Sequence, residues 1–177
     1  MKRSIVIFPE FTNVHVIHDI RTKYDPLAEK VAPHVTLVFP FDSDLTQDEI
    51  VGELKNSLAD ITAFPLQLQG FSIQDEEYVF LNVVEGDIGL INLHIALYKG
   101  LLSSYLNTSI KYVPHLTVGR FTNKAKLHQA YEECCKIEQT FSCIVNKISI
   151  EEIRGDDTSV IECDIGLADN NQRHAEF

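Results

Sequence analysis

The chain has 177 residues, 45% of them hydrophobic, enough for a domain with a real core and too many for a disordered chain. Lys and Arg number 15 against 26 Asp and Glu, and the net charge of −11 argues against a protein that grips long nucleic acid by charge. The apolar runs are too short to span a bilayer, no small-residue cleavage site follows Met1-Lys2-Arg3, and a cytoplasmic location is expected. Cys134, Cys135, Cys143 and Cys163 form no C-x-x-C pair and are expected as free thiols.

Strand and helix signals alternate along the chain. Ser4 to Phe8 is a short β run. Thr12 or Asn13 can cap a helix carrying Val14, Ile17 and Ile20, which Asp25-Pro26 ends. His34 to Phe39 is β-rich, and Phe39-Pro40 should close it. Thr46 to Glu49 is a capping box, followed by a helical stripe of Ile50, Leu54, Leu58 and Ile61. Phe64 to Ile73 and Glu77 to Val84 read as a hairpin around Gln74-Asp75-Glu76. Asp87 can cap a long helix with Ile88, Ile91, Ile95, Tyr98, Leu102 and Tyr105 on one side, weakened at Gly100. His115 to Phe121 is a strand. Asn123 caps a helix bearing Leu127, Ala130, Cys134 and Ile137. Phe141 to Ile150 and Ser159 to Ile165 are closing strands. Paired strands mixed with helices predict an α+β fold. The glycines form neither a dinucleotide fingerprint nor a phosphate loop, so no cofactor is expected.

The order contains a repeat, and the repeat has a marker. Pro33-His34-Val35-Thr36-Leu37 recurs as Pro114-His115-Leu116-Thr117-Val118. Side chains alternate along a strand, so His34 and Thr36 share one face, as do His115 and Thr117, about 6–7 Å apart along each strand. Val35, Leu37, Leu116 and Val118 anchor the opposite face. Two imidazoles and two hydroxyls suit a phosphodiester. One imidazole can act as base and the other as acid near neutral pH, and the hydroxyls can donate to phosphate oxygens. By strand parity Arg120 points away from this face. Lys23, from a nearby loop, is the candidate substitute cation. His94 is expected to pack, and His15, His18, His128 and His174 to lie on the surface.

The doubled H-x-T, with Arg21-Thr22-Lys23-Tyr24-Asp25-Pro26 before it and Pro40-Phe41 after its first copy, resembles the two-histidine (2H) phosphoesterase superfamily. The likeness is to its small bacterial, 2′-5′ RNA ligase-like branch and covers about Ser4 to Ile165. It implies two pseudo-symmetric lobes over residues 1–168, each an antiparallel sheet with helices outside, and a central cleft; Asp169 to Arg173 has no apolar period, and 169–177 is expected to be a flexible tail. It implies metal-independent chemistry on a cyclic phosphate or 2′-5′ phosphodiester of a small nucleotide or RNA end. His34 and His115 take the catalytic places, Thr36 and Thr117 the substrate-binding places, and no metal site is implied. Two other readings stay open: a module that binds nucleotide without turnover, and a metallo-hydrolase with His34 and His115 as ligands. Hydrolytic zinc sites normally take three protein ligands, which the motifs do not supply.

Overall fold

The computed structural model describes residues 1–168; the tail expected at 169–177 lies outside them. Eight antiparallel strands form one sheet in the order β6-β3-β4-β5-β2-β1-β7-β8. The strands are β1 Lys2–Ile7, β2 Val35–Asp42, β3 Phe64–Gln74, β4 Tyr78–Glu85, β5 His115–Arg120, β6 Phe141–Val145, β7 Lys147–Ile153 and β8 Ser159–Gly166. The helices are α1 Val14–Tyr24, α2 Gln47–Ser57, α3 Asp87–Leu97 and α4 Lys124–Cys134. This is the α+β class read from the sequence.

The sheet has two four-stranded halves. One is β6-β3-β4-β5, the other β2-β1-β7-β8, and the ladder between them is the pair Val35↔Leu116. The units β1-α1-β2 and β4-α3-β5 are the two copies of the repeat. Their helices cross the seam: α1 packs against β5 and α3 against β2. Val35, Leu37, Leu116 and Val118 are fully buried under these helices, as the alternation predicts.

The structure corrects several expectations. The run from Phe141 to Ile150 is two strands. The chain leaves the sheet at Asn146, and β6 pairs with β3 at one edge while β7 pairs with β1 in the other half. A continuous β-prone run does not record which partner each end finds. Pro40 does not close β2. The strand runs to Asp42 because the register against β1 gains a residue between Val38 and Phe41, a bulge that spares the proline a ladder bond.

The helix begun at Asp87 ends at Leu97, and a 3-10 turn, Leu101–Tyr105, follows Gly100. The Glu53 side chain occupies the space a Cβ at position 100 would need and accepts from Leu101 N–H. The apolar stripe is also the other one. Leu90, Leu93 and Leu97 are buried, whereas Ile88 is 70% and Ile95 50% exposed. Both stripes have helical spacing, so periodicity does not choose between them. Gly89 does, because it lets the Phe64 ring press against the helix backbone. The hairpin turns at Asp75 and Glu76, both with positive φ, 52° and 55°.

Candidate active site

The seam brings the two motifs together. Val35 opposite Leu116 in an antiparallel pair sets His34 beside Thr117 and Thr36 beside His115, all on the face away from the core. Pro33 and Pro114 precede the paired segments, where a missing N–H is tolerated.

The two histidines are held in the same way. His34 Nδ1 lies 2.9 Å from the Ala32 carbonyl oxygen and His115 Nδ1 2.6 Å from that of Val113. A carbonyl only accepts, so Nδ1 carries the hydrogen in each ring. Nε2 is then the titrating atom: a base when bare, an acid when protonated. Phe80 stacks on His115 with centroids 3.5 Å and planes 12° apart, and Phe8 meets His34 edge-on at 6.1 Å.

Burial holds both imidazoles below the usual histidine range. For His34 the Ala32 carbonyl, the Glu151 carboxylate and Asp25 work against this, while the Arg21 charge adds to it. For His115 the Val113 carbonyl works against burial, and positive charge on His34 lowers it further. The pair therefore resists double protonation and favours at least one bare Nε2 at neutral pH.

Two cavities of about 300 Å³ each flank the seam. His115 and Thr117 open into one, walled by Phe39, Tyr78, Phe80 and Lys111. His34 and Thr36 open into the other, with Ser4, Arg120, Glu151 and Ser159. The four side chains singled out from the motifs are thus gathered on one face of the seam, two opening into each cavity. Among the described residues no group of three or more His, Cys, Asp or Glu is arranged to hold a metal ion.

Arg120 contradicts its parity. The register of β5 against β4 gains a residue between Thr117 and Gly119, and this bulge turns Arg120 back toward the cleft. Its Nε pairs with Glu77 at 2.6 Å and its guanidinium lies 5.5 Å from the Tyr78 ring centre. Gly119 is required there, since a Cβ would sit 2.8 Å from the Phe121 ring. Lys23 is not the substitute cation: it pairs with Glu133 on the exposed side of α1 and lines neither cavity. Ser4, Phe80, Glu151 and Ser159 carried no motif, and nothing in their local sequence marks them.

Buried polar groups hold the frame. Arg21, at the head of the Arg21-to-Pro26 segment, is 1% exposed. Its Nε pairs with Asp25 at 2.8 Å and its Nη atoms reach the carbonyls of Val31 (2.8 Å) and Leu27 (3.4 Å). The clip shapes the loop that carries the Ala32 carbonyl. Where β2 leaves β5, side chains replace the ladder. His94 Nδ1 donates to Leu37 O at 2.7 Å, Phe39 N–H donates to the Tyr98 hydroxyl at 3.1 Å, and Tyr112 donates to Thr36 O at 2.9 Å. His94 is thus a packing residue with a backbone partner. His15, His18 and His128 are exposed as expected, and His174 lies outside the described residues.

The α+β sheet carries an H-x-T strand from each half at its seam. The family model described as the 2′-5′ RNA ligase superfamily matches residues 8–157, and the chain belongs to that superfamily. A Geobacillus kaustophilus protein whose name reads "Putative phosphoesterase GK0864" is 30% identical over 136 residues, 75% of this chain and 77% of that one. A similarly named Geobacillus sp. WCH70 protein is 31% identical over 134 residues, 74% and 76% of the two chains. Among solved structures, Escherichia coli LigT complexed with 3′-AMP aligns with TM-score 0.64 at 18% identity, over 94% of this chain and 98% of that one. TT0787 of Thermus thermophilus aligns with TM-score 0.64 at 15% identity, over 96% and 100%. LigT has also been crystallised with NADP+ and with ATP. These two likenesses establish the fold.

Proposed function

We propose that the chain is a metal-independent phosphodiesterase acting on a cyclic phosphate or a 2′-5′ phosphodiester of a small nucleotide or an RNA end. The observation that carries this is the matched pair of imidazoles, each with Nδ1 bonded to the carbonyl two residues back and Nε2 left to titrate at the seam. The LigT complexes with 3′-AMP, NADP+ and ATP support a small nucleotide as the class of ligand.

The bare Nε2 of one histidine takes a proton from water or a ribose hydroxyl as its oxygen bonds to phosphorus. The protonated Nε2 of the other gives its proton to the leaving oxygen as the second P–O bond breaks. The protein begins and ends with one shared proton. Thr36 and Thr117 donate to the non-bridging oxygens, and Arg120 balances their charge. The bound phosphate supplies the negative charge that lets one of two depressed imidazoles hold its proton.

The test is turnover of 2′,3′-cyclic nucleotides and 2′-5′ dinucleotides by the wild type, His34→Ala and His115→Ala. Each substitution should lower kcat by about 10²–10⁴-fold with the fold retained. Wild-type turnover in either variant would remove the acid–base assignment. Tight binding without turnover in the wild type would make the chain a nucleotide-binding module.

A further inference from the structure

The cavity on the His34 side contains a group that neither motif supplies. Glu151 stands on β7 opposite Ser4 of β1 and is only 3% exposed. The Ser4 hydroxyl donates to its Oε1 and the Ser159 hydroxyl, from β8, donates to its Oε2. All three residues wall the cavity that His34 and Thr36 open into. Among the described residues Glu151 forms no ion pair.

A carboxylate withdrawn from water needs donors in exchange. The two hydroxyls fill about half of its roughly four lone-pair positions. Each serine oxygen, its hydrogen committed to Glu151, has only acceptor capacity left. The wall formed by Ser4, Glu151 and Ser159 therefore accepts hydrogen bonds and offers none.

We propose that this cavity is a recognition subsite for an uncharged, hydrogen-bond-donating group attached to the scissile phosphate, namely the hydroxyls of a terminal nucleoside, and that Glu151 reads them. The proposal rests on the phosphodiesterase reading only for the place of the phosphate at the motifs. Leu27, Val31 and Ile153 give the cavity apolar walls for the rest of the nucleoside. The opposite cavity, with Phe39, Tyr78 and Phe80, offers flat aromatic faces instead. The two sides of the phosphate are thus read differently. Lys2 and Arg120 also line the His34 cavity, but Lys2 is exposed and Arg120, paired with Glu77, faces the scissile phosphate at the seam in the reading above. A second phosphate placed deeper would meet Glu151 and Asp157. The subsite fits the end of a chain rather than its interior.

The test is calorimetric binding of three ligands: 2′-5′ adenylyl-adenosine, adenosine 2′-(methyl phosphate) and adenosine 5′-(methyl phosphate). Each ester keeps one nucleoside and replaces the other with methyl. The wild type should bind the dinucleoside about 10- to 100-fold tighter than the ester that leaves the subsite empty, the worth of hydrogen bonds to a charged group. Glu151→Gln should abolish most of that difference; the charge that Glu151 lends to His34 acts on the ester and the dinucleoside alike and cancels from the comparison. Ser159→Ala, which removes one hydroxyl and keeps the carboxylate, should reduce it in part and guards against a folding defect in the first variant. The proposal is overturned if no ligand binds, if the dinucleoside binds no tighter than either ester, or if both variants keep the wild-type preference. It is also overturned if a terminally phosphorylated dinucleotide binds tighter still and loses that gain in Lys2→Ala, which would make the cavity an anion site. Because an affinity is read from the initial heats whether or not turnover follows, the expected pattern in a protein that hydrolyses none of the ligands would sink the phosphodiesterase reading and leave the subsite standing.

Discussion

Replacing Arg21 with Met keeps the length of the side chain and removes its charge. The guanidinium is 1% exposed and its partner Asp25 6%, so the substitution leaves a buried carboxylate without its cation. Breaking a buried pair from one side costs about 3–5 kcal/mol. The backbone adds little to that figure. Leu27 O also accepts from the N–H groups of Lys30 and Val31, so it is not orphaned, and half-buried Val31 can turn to water. Asp25 still holds Leu27 N–H through its other oxygen at 2.9 Å, so it stays where it is, charged and uncompensated. Urea unfolding of Arg21→Met should therefore show a loss of about 3–5 kcal/mol, and the double variant Arg21→Met with Asp25→Asn should recover part of it, because no unpaired charge remains. The surviving folded protein should lose kcat more than KM, because the loop that carries the Ala32 carbonyl would no longer hold His34 in one orientation. A loss below about 1 kcal/mol, or a double variant no more stable than the single one, would refute the reasoning.

Three further outcomes are expected. Arg120→Met should lower kcat/KM by about 10- to 100-fold, the weight of one charged phosphate contact, with little change in stability because Arg120 is exposed; unchanged kinetics would return it to a surface role. Burial lowers His34, His94 and His115 in the folded state, so the unfolded chain takes up protons first. Stability contributed by these groups is full above the unfolded value of about 6.5 and is lost as pH falls below it, levelling off under the folded values. Melting temperatures between pH 8 and 5 should show that fall, smaller in His34→Asn; a stability that rises toward acid would contradict the burial. Prolonged chelation should leave turnover intact, and loss that zinc or manganese restores would favour a metallo-hydrolase.

Much of the candidate site was legible because its marker is short-range. A proline, a histidine and a threonine at fixed spacing dictate one face of one strand wherever that strand lies. The capping box of Thr46 and Glu49 and the cap of Asn123 on Lys126 N–H were legible for the same reason. Arg120 was misread because parity holds only for a regular strand, and the bulge that breaks it comes from pairing with β4 and from the room Gly119 makes for Phe121. The face of α3 was misread because both of its stripes are apolar, so the choice fell to Phe64, distant in sequence.

What the sequence determined by itself is therefore most of the order of the elements, the α+β class, the repeat and the face that histidine and threonine share on each H-x-T strand. All of these follow from contacts within a few residues. The tertiary structure alone decided that the motifs meet at the pair Val35↔Leu116, that Phe141 to Ile150 divides between the two halves of the sheet, and that Ser4, Glu151 and Ser159 share a wall with His34. Such pairings join residues far apart in the chain. They depend on which apolar faces can be buried together and which backbone groups must find a partner, and no local pattern encodes that choice.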